Sequence, residues 1–269
     1  MITQNKTALA KSLGISRSSL YYKSKMQKKD WKLKQEIENV LREYPSYGHR
    51  RIAIHLKVNK KRIKRVMKIY GIKPYRRRTK KAFKKAKRDD VSFPNLLMDI
   101  APQYPNHIWA SDFSHVWFQE RWVYIATVLD LYSRKIVGIS VMTTHSVKLT
   151  ISALLNAVHN HGSPEIIHSD HGSEYVAKDY VCICANLNIQ QSMSAKGCPW
   201  ENGYQESFYG KFKVDLGDPA RFDSLGELVY AIYQTIYVYN TTRIHTALGM
   251  SPIQFLIKNE TKYISERVS

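Results

Sequence analysis

The apolar positions of this chain change their period once, near residue 95. Before that point they recur at helical spacing. Ala8, Leu9 and Leu13 share a face that Gly14 interrupts, and Ser16 is placed to cap a second helix through Arg17, Leu20 and Tyr21. Residues 24 to 45 keep the period through Leu33, Ile37, Val40 and Leu41, which predicts a connecting helix. Ile52 and Leu56 then lie on one face, Val58-Asn59 makes a turn, and Asn59 can cap a helix that Gly71 ends. In that helix Ile63, Val66, Met67 and Tyr70 stand at i, i+3, i+4 and i+7, while Lys61, Lys64, Arg65 and Lys68 share the opposite face. The pattern is two helix-turn-helix units in tandem.

Beyond Pro94, Pro102 and Pro105 the texture turns to strands. Ile108 to Phe118, Trp122 to Leu129 and Lys135 to Met142 read as three strands, and the short links at Gln119-Glu120 and Tyr132-Ser133 suit antiparallel hairpins. A helix follows over Val147 to His161, ended by Gly162; then a strand Glu165 to Ser169, a helix Lys178 to Asn186 and a strand Ile189 to Ser194. A Gly/Pro loop over 195–203 and further helices complete the chain. The loop is expected to be mobile until DNA orders it. This order matches an α/β RNase H-like core, a mixed five-stranded sheet with flanking helices, preceded by an all-α region; other α/β folds share most of it. The expected division is 1–30 for the first helix-turn-helix, 31–90 for the second with its linker, and 91–260 for the core with its C-terminal helices.

Charge changes the picture more than length does. The 269 residues hold 42 Lys+Arg against 22 Asp+Glu, a formal charge of +20. Residues 1 to 90 hold 29 of the basic and 6 of the acidic ones, so this third carries +23 and the remainder −3. Lys73 to Arg88 alone has ten Lys/Arg in sixteen residues, Arg76, Arg77 and Arg78 among them, and no acid. Such a block beside a near-neutral domain points to a polyanion, most simply nucleic acid. Met1 is followed by a polar stretch, no apolar run approaches the ~20 residues of a membrane helix, and three cysteines make no disulfide framework. The expectation is a soluble intracellular protein with no membrane partner.

Phosphodiester chemistry commonly uses hard divalent cations, whose ligands are carboxylate oxygens. Asp112 lies within the first strand, Asp170 ends the fourth, and Glu206 opens a helix, with 35 residues between the last two. Taken singly, Asp170 suits a cap on the turn before Gly172, and Glu206 an ordinary first-turn acid favoured by the helix dipole. Asp130 and Glu174 read as turn and surface residues, and Glu201 as a residue that orients DNA or assists a metal ligand.

The joint pattern is more specific than its parts. The Asp/Asp/Glu set, the segment His168-Ser169-Asp170-His171-Gly172-Ser173, the loop Gly197-x-Pro199-x-Glu201-Asn202 and the tail Tyr239-Asn240-x-x-Arg243-x-His245-x-x-Leu248 resemble the second-frame product of the IS-three family of bacterial insertion sequences. Tyr47-Gly48-His49-Arg50-Arg51-Ile52 through Arg76 resembles that family's helix-turn-helix region. These transposases are relatives of retroviral integrases.

The resemblance implies that Asp112, Asp170 and Glu206 are catalytic and hold two Mg²⁺ (or Mn²⁺) ions, Asp112 bridging them from mid-sheet. Water first frees a 3′-OH at the element end, and that hydroxyl then attacks a second phosphodiester. The implied partners are double-stranded DNA, as element ends and target, and further copies of the chain on that DNA. An upstream-frame product, as fusion or separate partner, is also implied, and the abrupt start after Met1 suits a downstream portion of such a fusion. The expected location is the bacterial cytoplasm, at the nucleoid. Lys61, Lys64, Arg65, Lys68, Arg76, Arg77 and Arg78 are the expected DNA contacts. Lys213, seven residues after Glu206, is a candidate for a phosphate near the metals or a solvated lysine; Asn202 for DNA contact or helix capping; Arg243 for DNA contact or packing. No zinc is expected, because His49 and His55 have no cysteine near them, and His168 reads as core more than site. A purely hydrolytic nuclease of the same fold and an inactive DNA-binding repressor are the alternative functions.

Overall fold

The computed structural model describes residues 6–20, 26–75, 93–195 and 198–259; Arg76, Arg77 and Arg78 lie outside them. The N-terminal part is helical. Helix α1 (Lys6–Ser12) ends before Gly14, whose φ of 64° is the left-handed value a glycine turn accepts. Ser16 Oγ accepts from Ser19 N, but the next element is a 3-10 turn, Arg17–Leu20, and the continuation expected at Tyr21 lies outside the described residues. Helix α2 (Met26–Glu43) runs through the division expected at residue 30, which therefore falls inside one helix.

Helices α3 (His49–His55) and α4 (Lys60–Ile69) form the second unit. Asn59 caps α4 by accepting from Lys61 N at 2.8 Å. Ile63, Val66 and Met67 of α4 meet Leu33, Ile37 and Val40 of α2 and Ile52 of α3 in one buried cluster. Arg65 leaves the basic face in part: its Nη2 donates to the buried carboxylate of Asp30 at 2.6 Å.

The core carries five strands: β1 (Ile108–Phe118), β2 (Arg121–Asp130), β3 (Ile136–Met142), β4 (Ile166–Ser169) and β5 (Gln190–Met193). Their order is β3-β2-β1-β4-β5, antiparallel among the first three and parallel from β1 to β4 to β5. The β1–β2 hairpin turns on Gln119 and Glu120, both at positive φ, the two-residue geometry that follows strand twist. Helices α5 (Val147–His161) and α6 (Lys178–Asn186) cover one face; α7 (Gly203–Leu216) and α8 (Leu225–Thr241) cover the other. Alternation along β1 serves both: Ile108, Ala110, Val116 and Phe118 point toward α7 and α8, and Trp109 toward α5. A last helical stretch covers 252–259.

The two parts are locked together at the end of α8. Tyr47 Oη accepts from Ile244 N at 2.6 Å, Tyr44 Oη donates to Thr242 Oγ1 at 3.3 Å, and Arg243 Nη2 donates to Ser46 Oγ at 2.8 Å. Burial of Tyr47 pushes its phenol up to about 12, so it stays protonated. Ile244 and Val238 join the apolar cluster of the helix-turn-helix.

Close packing between α5 and the sheet depends on Gly138 of β3. A Cβ there would stand 2.3 Å from the carbonyl of Ala153 and 2.6 Å from Cβ of Ala157. Gly138→Ala is therefore expected to cost about 1–3 kcal/mol, the range for overpacking. Urea unfolding should show a lower midpoint at unchanged slope, and an unchanged midpoint would mean that α5 moves away freely.

Candidate active site

Three elements meet at the centre of the sheet on its α7 face. Asp112 occupies the middle of β1, where even-numbered residues point toward α7. Asp170 follows the last residue of β4, the parallel neighbour of β1. Glu206 lies in the first turn of α7, exposed, and Lys213 follows two turns later on the same side.

Helix α7 is seated on the strands by polar groups, not apolar ones alone. Gln205 is fully buried and donates to the carbonyls of Ala110 at 2.6 Å and Thr127 at 3.2 Å. Tyr209, one turn on, makes hydrogen bonds with the carbonyls of Asp112 at 3.0 Å and Ile125 at 2.9 Å, and Thr127 Oγ1 lies between the two side chains. Asn202 adds a bond to the carbonyl of Ser111 at 3.4 Å. These bonds set the height and rotation of the helix whose next residue is Glu206.

The electrostatics of the cluster are strongly biased. Asp112 is raised from the ordinary 3.8 to about 8, first by burial, then by the negative field of Asp170 and, more weakly, Glu206. The N–H of Phe113, 2.8 Å from Oδ1, and the charge of Lys213 oppose the rise. Asp170 is also raised, chiefly by burial and further by Glu174, against a stabilising bond from Gly172 N at 3.1 Å. That bond is the turn cap expected of an aspartate before glycine, so Asp170 serves the turn and faces the cluster together. His168 is held down to about 4 by burial and bonds Ser192 Oγ through Nδ1, which makes it a neutral core residue.

Among the described residues, no three His, Cys, Asp or Glu side chains are drawn closely enough to form a ready metal cage. The donor set nonetheless suits a hard cation. All three groups offer carboxylate oxygen, and a buried carboxylate in the field of two others is an arrangement that a divalent ion relieves.

Several expected roles change. Asn202 occupies the N-cap position of α7 but makes no side-chain cap bond there; its side chain is 3% exposed and bonded to the sheet, away from the surface that a DNA contact needs. Arg243 is also 3% exposed, its Nε donating to Asp215 of α7 at 2.6 Å; it packs the last helices instead of contacting DNA. Glu174 is buried, not on the surface, and pairs with His145 at 2.6 Å. Asp130 does make a turn, but from a buried position, accepting from Ser133 N and Asn106 N. Glu201 braces the loop, accepting from Ala195 N at 2.7 Å and Asn95 at 2.8 Å, while residues 196 and 197 lie outside the described set. Gln205 and Tyr209 went unnoticed in the sequence. Their signal is a glutamine at position 205 of the face formed by Phe208, Tyr209, Phe212 and Leu216, where burial obliges a polar group to find partners.

Comparison with known proteins shows the family and the fold. Two models described as "Integrase core domain" match residues 102–199 and 187–252. The 31 kDa protein of insertion element IS600 from Shigella sonnei is 33% identical over 258 residues, covering 90% of this chain and 95% of that one. The IS904 transposase of Lactococcus lactis subsp. lactis (strain IL1403) is 33% identical over 243 residues, covering 86% and 96%. In fold, the simian T-cell lymphotropic virus intasome aligns with a TM-score of 0.50 at 17% identity, over 78% of this chain and 70% of that one. The core is thus of the integrase class, an RNase H-like domain. The chain belongs to the IS3 family of insertion-sequence transposases.

The strained carboxylate carries a prediction. In EDTA, Asp112→Asn is expected to melt higher than the wild type above pH ~8 and level with it near pH ~4. The folded chain keeps a proton that the unfolded chain releases near 3.8, so wild-type stability falls as pH rises from there through about 8. Asparagine has no such loss. Differential scanning fluorimetry across pH checks this, and a variant less stable than the wild type at high pH would refute it.

Proposed function

We propose that the chain cleaves DNA at the ends of an insertion sequence and joins the freed 3′ ends to target DNA, with Asp112, Asp170 and Glu206 as the metal ligands. The observation that carries this is the placement of three carboxylates on β1, after its parallel neighbour β4 and in the first turn of α7, in a chain of a transposase family. When bound by these oxygens, a pair of Mg²⁺ or Mn²⁺ ions supplies activation of the attacking oxygen and stabilisation of the leaving one. No covalent protein intermediate is required.

The chain's own residues have separable tasks. Gln205 and Tyr209 fix Glu206 over the strand that carries Asp112. Lys213, whose charge already lowers Asp112, is placed to meet a phosphate at the carboxylates. Lys61, Lys64 and Lys68 are exposed on α4, opposite its buried face, and suit a major groove with ammonium groups on phosphates. Arg65 is shared with Asp30, and Arg76, Arg77 and Arg78 extend the basic stretch in sequence. The division of labour is DNA binding before residue 91 and chemistry after it, in several copies of the chain on one DNA and with an upstream-frame product as fusion or partner. Among the described residues no helix is long and apolar enough to cross a membrane, which fits action on DNA in a bacterial cytoplasm.

End-bearing duplex incubated with the protein and Mg²⁺ is expected to give both nicked and joined products on a sequencing gel. Asp170→Ala should lower both roughly a thousandfold or more, the order expected when several kcal/mol of metal-mediated stabilisation is withdrawn. Nicks without joints would make the chain a nuclease, and shifted but uncut DNA a repressor. Full activity in the alanine variant would remove Asp170 from the site.

A further inference from the structure

A cavity with basic and aromatic side chains in its walls opens on another side of α7, about a third of a turn from the carboxylates. It encloses about 480 Å³, and its walls include Arg134, Trp200, Tyr204, Ser207, Lys211 and His245. Tyr204, Ser207 and Lys211 stand at i, i+3 and i+7 on α7, so this face is distinct from that of Glu206 and Lys213.

Its polar groups are incompletely satisfied. Nη1 of Arg134 and Nδ1 of His245 are both buried with no hydrogen-bond partner. Such orphans are uncommon in folded proteins and call for an explanation. Lys211 Nζ has Ser207 Oγ at 2.7 Å. Arg134 is held in place on two sides: its guanidinium stacks over Tyr204 with 4.1 Å to the ring centre, and its backbone takes a positive φ of 64° in the turn organised by Asp130.

Positive charge accumulates here with only a partial offset, the field of Asp215 favouring the charged form of Lys211. His245 is driven down to about 4 by burial and then by Lys211, Arg134, Arg243 and Arg51; Lys211 is lowered to about 8 by burial, Arg243 and Arg51. The nearest acids are engaged. Asp215 is paired with Arg243, and the carboxylate of Glu201, also on the cavity wall, is bonded to Ala195 N and Asn95. The basic groups that line the cavity, Arg134 and Lys211, are of the kind that an anion satisfies.

We propose that this cavity binds a backbone phosphate of DNA through Arg134 and Lys211, with the 57%-exposed indole of Trp200 at its wall as an apolar face for the adjoining nucleotide. It rests on the transposase reading of the carboxylate site, and places a second phosphate contact on the same helix. The volume lies within the ~300–1,000 Å³ of pockets that hold small-molecule-sized groups. Stacking on an aromatic face is indifferent to base identity, which suits a contact that must serve DNA of any sequence.

Two measurements test it. In EDTA, fluorescence anisotropy with end-bearing duplex is expected to show about tenfold weaker binding by the Arg134→Gln/Lys211→Gln protein, and a salt dependence shallower by about 0.9 in log–log slope, one phosphate's worth. The same affinity and slope in a folded variant overturn the site while leaving the carboxylate assignment intact; Asp170→Ala, which should keep the wild-type slope and lose joining, reads that assignment separately. Wild-type protein that binds no end DNA overturns both. The second measurement needs no variant. Acylation of the wild type, read by peptide mass spectrometry, is expected to modify Lys211 in free protein and spare it when end DNA is bound. Equal labelling overturns the proposal, as does protection by millimolar inorganic phosphate but not by DNA, which would mark a small-anion site.

Discussion

The placement of the three carboxylates depends on where α7 sits, and α7 is held by hydrogen bonds from two buried polar side chains to strand carbonyls. Gln205 and Tyr209 reach Ala110, Asp112, Ile125 and Thr127, groups that belong to the β1–β2 pair. An apolar contact would tolerate sliding of the helix by a fraction of an ångström, because dispersion and burial are only weakly directional. A hydrogen bond to a fixed carbonyl does not, and an unmade bond at such depth costs about 1–3 kcal/mol. The penalty for misplacement is what makes the register of Glu206 against Asp112 definite.

A second constraint runs through the same helix. Asp215, near the end of α7, pairs with Arg243, which also donates to Ser46 in the helix-turn-helix part. Beside it, Tyr47 accepts from Ile244 across 197 positions of sequence. The segment around Tyr47 and the tail around Arg243 are thus two halves of one contact. Removing one member of a buried ion pair leaves a charge without compensation and typically costs about 3–5 kcal/mol. The N-terminal helical part is therefore fixed in place: the segment that joins α2 to α3 is held against the end of α8, and through Arg243 against the helix that bears Glu206.

These two constraints mark the limit of what could be read from residues alone. The strands and helices were legible because their signals are local: alternation in β1, the glycine after α5, the Asn59 cap. The three carboxylates were picked out by their spacing, and the structure sets them in the middle of β1, after β4 and in the first turn of α7. The roles of Asn202, Arg243 and Glu174 were not legible. Each is a polar residue that sequence assigns to the surface by default, and burial came from a partner far along the chain: Ser111, Asp215 and His145 respectively. After Ser16 the described backbone closes a 3-10 turn, and residues 21–25 lie outside the described set. Local rules name the elements; long-range pairing decides which polar groups are structural.

The charge asymmetry of the chain acquires a finer reading from this. At the level of counts, the basic third attracts phosphate and the core is neutral. Within the core, however, charge is segregated around α7: the side of Glu206 faces Asp112 and Asp170, and another side carries Lys211 toward Arg134 and His245. Neither arrangement is stabilising by itself, since like charges at low dielectric repel and burial adds to the cost. Asp112 shows the size of that cost in its displacement to about 8, and His245 shows the opposite sign in its fall to about 4. A fold selected for stability alone would neutralise both sides. One helix thus presents acid toward Asp112 on one side, tempered by Lys213, and base toward Arg134 on another; on the readings proposed above, bound cations and a bound phosphate would each relieve one of these sides.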